Sequence, residues 1–211
     1  MLHGPEHVHD PDVLTQTTTI SAAERAIAAL SQHAPDVLRE LLRESQQRGG
    51  RDLLTGAWER AAGLDQLRRA VDRAHRTQEP LVVIFADVDY LKAINDTQGH
   101  AAGDAALRAI GAALRSTLRS YDLTVRLGGD ELLAALPHAG LQQAENRMVA
   151  VATLLQAATP PVSLSCGYAT LQIGQSADDV IAAADADMYS RRREVRAAEG
   201  LHIVPQQPPP V

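Results

Sequence analysis

An unbroken apolar run, Leu81-Val-Val-Ile-Phe-Ala86, leads directly into Asp87-Val88-Asp89. Framed by Glu79-Pro80 and by an acid, this short run predicts a central strand covered on both faces. Helices must supply that cover, so the chain is an α/β protein. Asp87 and Asp89 then stand at the end of a buried strand, on one side of it if the extended geometry continues.

A second acidic pair, Asp130-Glu131, follows Gly128-Gly129 in a tight turn. Apolar segments at Leu123–Leu127 and Leu132–Leu136 flank that turn and predict a hairpin. Carboxylates at a strand end and in a neighbouring hairpin turn suit magnesium, which takes hard oxygen ligands and keeps waters and substrate phosphates. Between the clusters lie Lys92, Asn95, Gly99, His100, Gly103 and Asp104. An amide and a carboxylate such as Asn95 and Asp104 can together read a guanine edge, because the carboxylate accepts from the N1 and N2 hydrogens. Taken singly, Asn95 is equally a turn residue and Asp104 a helix-start acid. No Gly-rich loop leads into Lys-Ser or Lys-Thr, and no glycine triplet follows a strand, so Walker and Rossmann phosphate loops are excluded.

The remaining periodicity predicts helices on either side of these strands. Trp58, Ala61, Leu64, Leu67, Val71 and Ala74 form one apolar face. Leu107, Ile110, Leu114 and Leu118 form another over residues 101–118, and a third helix covers 141–157. Val162, Leu164, Cys166 and Tyr168 alternate as in a strand. Ser176 and Asp179 have capping-box spacing before a helix carrying Ile181, Ala184 and Met188. One hairpin mixed with helical crossovers gives a single domain built on one sheet.

Upstream, residues 1–20 read as a flexible polar tail, and 21–49 as a helical segment that can break near Pro35. Its stripe Val37, Leu38, Leu41, Leu42 serves either packing on its own domain or a dimerising or regulatory role. Leu201–Val204 is expected to be a short edge strand, followed by a Pro-rich disordered end.

The 211 residues suffice for one buried domain plus a modest extension. A net charge of −6 and 3% aromatic residues leave neither a broad basic face nor a stacking platform for nucleic acid. Arg191, Arg192, Arg193 and Arg196 are a local basic run able to bind a phosphate. The single cysteine, Cys166, excludes an intrachain disulfide and a cysteine-rich zinc site, and its apolar setting favours a buried small hydrophobe. No apolar run reaches membrane-spanning length and no signal-peptide pattern is visible, so no membrane role and a cytoplasmic location are expected.

Several segments also carry a family resemblance. Arg126-Leu-Gly-Gly-Asp-Glu-Leu132 resembles the signature of the GGDEF family, the diguanylate cyclases. Asp87-Val-Asp-Tyr-Leu-Lys-Ala-Ile-Asn-Asp-Thr-Gln-Gly-His-Ala-Ala-Gly-Asp104 resembles the family's metal- and base-binding stretch. Asp52-Leu-Leu-Thr-Gly56 with Arg60 looks like its opening motif, and Ala184-Asp185 with Met188-Tyr189 like its closing helix. The resemblance covers about residues 50–200, in family order.

It implies a palm-like domain with a central, mostly antiparallel sheet flanked by helices and preceded by a short helical N-terminal segment. It implies condensation of two GTP into cyclic di-GMP with release of pyrophosphate, one GTP per domain, across a homodimer. Magnesium, or manganese in its place, would be held by Asp87, Asp130 and the Val88 carbonyl, with Glu131 as base or further ligand. Asn95 and Asp104 would read guanine; Lys92, Arg192, Arg196 and Gly129 would lie along the substrate. Arg119 and Asp122, with Arg147, would form an inhibitory site for the product. Leu132 stands where phenylalanine is usual, and Arg191-Arg192 where the common pair is Ala-Lys. The alternative is a weak or inactive GGDEF domain that binds GTP or cyclic di-GMP as a regulatory protein.

Overall fold

The computed structural model describes residues 50–198, apart from the side chains of Arg196 and Ala198. The tail, the helix expected over 21–49 and the strand expected at Leu201–Val204 lie outside the described residues.

Five strands form one sheet: β1 (Trp58–Glu59), β2 (Leu81–Val88), β3 (Leu123–Arg126), β4 (Glu131–Pro137) and β5 (Leu164–Thr170), in the order β1-β3-β4-β2-β5. β1 runs parallel to β3, while the β3–β4, β4–β2 and β2–β5 pairings are antiparallel. The helices are α1 (Arg60–Thr77), α2 (Leu91–Gln98), α3 (His100–Thr117), α4 (Leu141–Gln156) and α5 (Ala177–Ala198).

The apolar run of β2 is explained by its two covered faces. Val82, Ile84, Ala86 and Val88 pack with Leu107, Ile110 and Leu114 of α3 and with Met148, Val151 and Leu155 of α4. Leu81, Val83 and Phe85 pack with Leu67 and Val71 of α1 and with Val180, Ala184 and Met188 of α5. Leu67, Leu81, Ile84, Ile110, Leu133, Leu136 and Leu155 are fully buried. Each such side chain contributes about 1.5–3 kcal/mol by leaving water.

Two expectations are corrected. Trp58 belongs to a two-residue strand and bridges to Arg51, so the first helix opens at Arg60. Residues 91–98 form a helix, α2, that apolar spacing did not reveal: only Leu91 among them is buried. The Ser176/Asp179 capping box forms as spaced: the Asp179 amide donates to Ser176 Oγ, and the Ser176 amide donates to Asp179 Oδ2.

Gly167 sets how α5 lies on the sheet. A Cβ there would stand 2.1 Å from the Met188 nitrogen and 2.2 Å from the Ala184 oxygen. The α5 backbone therefore rests directly on β5, and its last turns reach the sheet end where β2 delivers its acids. Among the described residues no helix is long and apolar enough to cross a membrane.

Candidate active site

The signature turn is held from behind. Arg126, at the end of β3, donates through Nε to the Gly128 carbonyl at 3.0 Å and through an Nη to the Gly129 carbonyl at 2.8 Å. Its other Nη donates to Asp52 Oδ2 at 3.0 Å. Asp52 Oδ1 in turn accepts from the Thr55 amide and hydroxyl at 2.8 and 2.7 Å. One guanidinium thus ties the opening motif to the carbonyls of the Gly-Gly turn. Burial raises the Asp52 carboxyl, but the Thr55 hydrogen bonds and the Arg126 charge outweigh it and hold it below the usual range.

From that turn Asp130 projects into a cavity of about 750 Å³, shared with Asp87, Val88, Asp89, Lys92, Ser165 and Arg192. The Val88 amide donates to the Asp130 carbonyl at 2.9 Å, fixing the turn against the end of β2. Asp87 and Asp89 do share one side, because Arg192 from α5 meets both, at 2.5 and 2.9 Å. Asp89 also accepts from Ser163 Oγ at 2.8 Å and Ser165 Oγ at 2.7 Å, and Ser165 Oγ accepts from Arg192 Nε at 2.9 Å. Burial works to lower the Arg192 guanidinium, but its bonds to Asp87 and Asp89 outweigh it and raise the group above its ordinary value. Cys166 is in the cavity wall; burial, then the Asp89 charge, push its thiol up to about 12.

The other expected residues are distributed as follows. Lys92 lies on α2 at the cavity edge, exposed. Arg196 follows Arg192 by one turn of α5, and its side chain is outside the described residues. Glu131 pairs with Asp87 in the β2–β4 register, but it lines a neighbouring cavity of about 350 Å³ with Arg60 and Asp185. Gly129 borders a third hollow, with Asp52 and Arg126. Asn95 on α2 packs on the first turn of α3, its Oδ1 only 2.0 Å from where a Cβ on Gly103 would be. Asp104 is the next residue, half-buried, with Arg108 at 3.7 Å. The α2–α3 pair thus packs Asn95 on Gly103, the residue before Asp104, and neither Asn95 nor Asp104 lines the 750 Å³ cavity.

Among the described residues no three acidic, histidine or cysteine side chains converge to hold a metal by themselves. The carboxylates of Asp87 and Asp130, with Val88, around one cavity fit magnesium, which needs few protein ligands and hard oxygen donors.

The comparisons with known proteins decide the family. The family described as "Diguanylate cyclase, GGDEF domain" matches residues 50–198. The chain belongs to the GGDEF-domain family. It is 34% identical over 162 residues to the diguanylate cyclase DgcP of Pseudomonas aeruginosa, covering 74% of this chain and 24% of that protein. It is 37% identical over 169 residues to the diguanylate cyclase DosC of Escherichia coli, covering 76% and 37%. The crystal structure of the diguanylate cyclase SiaD with its activator SiaC, from P. aeruginosa, superposes with a TM-score of 0.66 at 30% identity, covering 87% of this chain and 76% of that one. The chain thus spans well under half the length of DgcP and DosC.

A separate constellation of this GGDEF domain lies at the turn between α3 and β3. Asp122 Oδ2 accepts from the Arg119 amide at 2.7 Å and from Arg147 of α4 at 2.6 Å. Asp122 Oδ1 is buried without a hydrogen-bond partner. The Arg119 guanidinium is exposed and meets the Tyr121 hydroxyl.

Sequence reasoning assigned no role to Ser163, just before β5, or to Ser165 within it, although their period-two spacing was the available signal. Arg126 and Asp52 were read only as motif letters; nothing local announces a bond across 74 positions.

Proposed function

We propose that this domain condenses two GTP molecules into cyclic di-GMP, releasing pyrophosphate. The observation that carries the reading is the single cavity that gathers Asp87, the Val88 backbone and Asp130 with the cations Lys92 and Arg192. Magnesium, when held by Asp87, Asp130 and the Val88 carbonyl, supplies charge neutralisation for the phosphates.

The chain's own residues do the rest. Lys92 of α2 and Arg192 of α5 bind and orient the phosphate tail, with Arg196 one turn beyond Arg192 on α5. To reach it, Arg192 must exchange Asp87 and Asp89 for phosphate oxygens, a trade of one charged acceptor for another. Asn95 and Asp104 recognise guanine. Glu131, opposite Asp87 in the ladder and lining the neighbouring cavity, serves as base for the attacking 3′-hydroxyl or as a further metal ligand. A second domain supplies the other GTP, since each chain brings one such cavity to the reaction. Arg119, Asp122 and Arg147 form an inhibitory product site; the unpartnered Asp122 oxygen supports this, because leaving it so costs about 1–3 kcal/mol.

A regulatory domain that binds GTP or cyclic di-GMP without turnover is the second reading. What favours it is the engagement of Arg192 with Asp87 and Asp89. Pyrophosphate release separates the two. Wild type should release it from GTP with magnesium, D87N and D130N should lose at least about a hundredfold, and R119A should escape inhibition by added cyclic di-GMP. GTP binding with no release would establish the regulatory reading.

A further inference from the structure

We infer that Arg191 is a positioning residue, fixing α5 through Glu145, Asp187 and Tyr168 so that Arg192 reaches Asp87 and Asp89. The inference rests on the reading above only in taking Arg192 as a phosphate contact.

The Arg191 guanidinium is committed in three directions. Its Nε donates to Asp187 Oδ2, one turn back on α5, at 2.7 Å. An Nη donates to Glu145 Oε1 of α4 at 2.9 Å. Its carbon lies 4.8 Å from the centroid of the Tyr168 ring on β5. Asp187 Oδ2 also accepts from the Tyr168 amide at 2.8 Å, so the clasp satisfies an N–H on a strand that pairs in the sheet only with β2.

Placement gives this network its consequence. α4 covers one face of the sheet and α5 the other. Arg191 to Glu145 therefore crosses the open edge of β5 and joins the two helical layers. Successive helix residues diverge by about 100°. Arg191, which also borders the cavity, gives its guanidinium to Asp187 and to Glu145 of α4, while Arg192 turns toward the end of β2 and meets Ser165, three residues from Tyr168 on the same strand.

The core does not do this work. The apolar anchors of α5 are Ala177, Val180, Ala184 and Met188, all upstream of Arg191. Beyond Arg192, the described side chains Arg193, Glu194, Val195 and Ala197 are exposed. Arg191 is thus the last lateral fixture before the residue that must aim into the site. A guanidinium holding two carboxylates and an aromatic face is constrained in direction as a lone surface pair is not.

The test reads Arg192 in the free protein and in turnover. Solvent exchange of the Arg192 Nε–H, followed by NMR of isotope-labelled arginine side chains, should rise about fivefold or more in R191A. E145Q should do the same from the α4 side without altering α5, and it carries the test if R191A folds poorly. In turnover, R191A should raise KM for GTP by about fivefold, with kcat within about twofold of wild type, and should add nothing in an R192A background. Unchanged Arg192 exchange in both variants would overturn the inference. So would an R191A effect that persists in full on top of R192A. If wild type does not turn over GTP, the proposed activity fails, and the exchange measurement alone still judges the clasp.

Discussion

Asp52 shows how one carboxylate can hold a distant turn. Its two oxygens are divided between Thr55 and Arg126, and Arg126 spends its remaining donors on the Gly128 and Gly129 carbonyls. The Asp52 carboxyl is held below its ordinary value in the folded chain, so its stabilisation is fully present above the unfolded value and is lost as pH falls through the folded one. D52N should therefore melt below wild type near neutral pH, and the gap should close as pH drops below about 4. Thermal melts across that range check this; a gap that stays constant with pH would show that the charge contributes nothing. That Asp87 and Asp130 stand at ends of the sheet elements was legible because each lies at the edge of an apolar run, and the structure sets both around one cavity. The engagement of Arg192 was not, since 105 positions separate it from Asp87 and the packing of α5 on the sheet, close against Gly167, brings them together.

Among the elements, β2 and β4 announce themselves, because burial on both faces makes Leu81–Ala86 and Leu132–Leu136 continuous apolar runs. α2 does not. Its outward residues outnumber its inward ones, and it is stabilised by packing on α3 rather than by its own sequence. That packing depends on Gly103, whose missing Cβ is the space taken by the Asn95 side chain. G103A should push the Asn95 amide aside while leaving Asp104 in place, weakening GTP binding and narrowing its preference over ATP. D104A should cost more, about 2–5 kcal/mol, because a guanine edge loses a charged partner. Calorimetric titration of both nucleotides into wild type and both variants tests this. Equal wild-type affinity for GTP and ATP would remove Asn95 and Asp104 as base readers. Glu131 marks the limit of register arguments: it stands opposite Asp87 in the ladder yet lines the neighbouring cavity.

At the scale of the whole molecule, the proposed reaction brings in a second chain. The product joins two guanylyl units symmetrically, which a two-fold pair of sites provides directly. Activity per chain should therefore fall on dilution as the dimeric fraction falls by mass action. Initial rates and sedimentation over one concentration range compare the two curves; constant activity across a monomer–dimer transition would remove the requirement. Deleting residues 1–46 should deepen the loss if the Val37, Leu38, Leu41, Leu42 stripe helps association, and leave it unchanged if the stripe serves its own domain.

In the proposed function, the cavity holding Asp87, Asp130, Lys92 and Arg192 makes a cyclic dinucleotide from GTP. Purified protein, at a concentration shown to be dimeric, is incubated with GTP and magnesium, and the products are identified by mass spectrometry. The account predicts cyclic di-GMP with two pyrophosphates for each, absent from the D130N reaction. GTP returned intact by the wild-type dimer, or a product other than cyclic di-GMP, would contradict it.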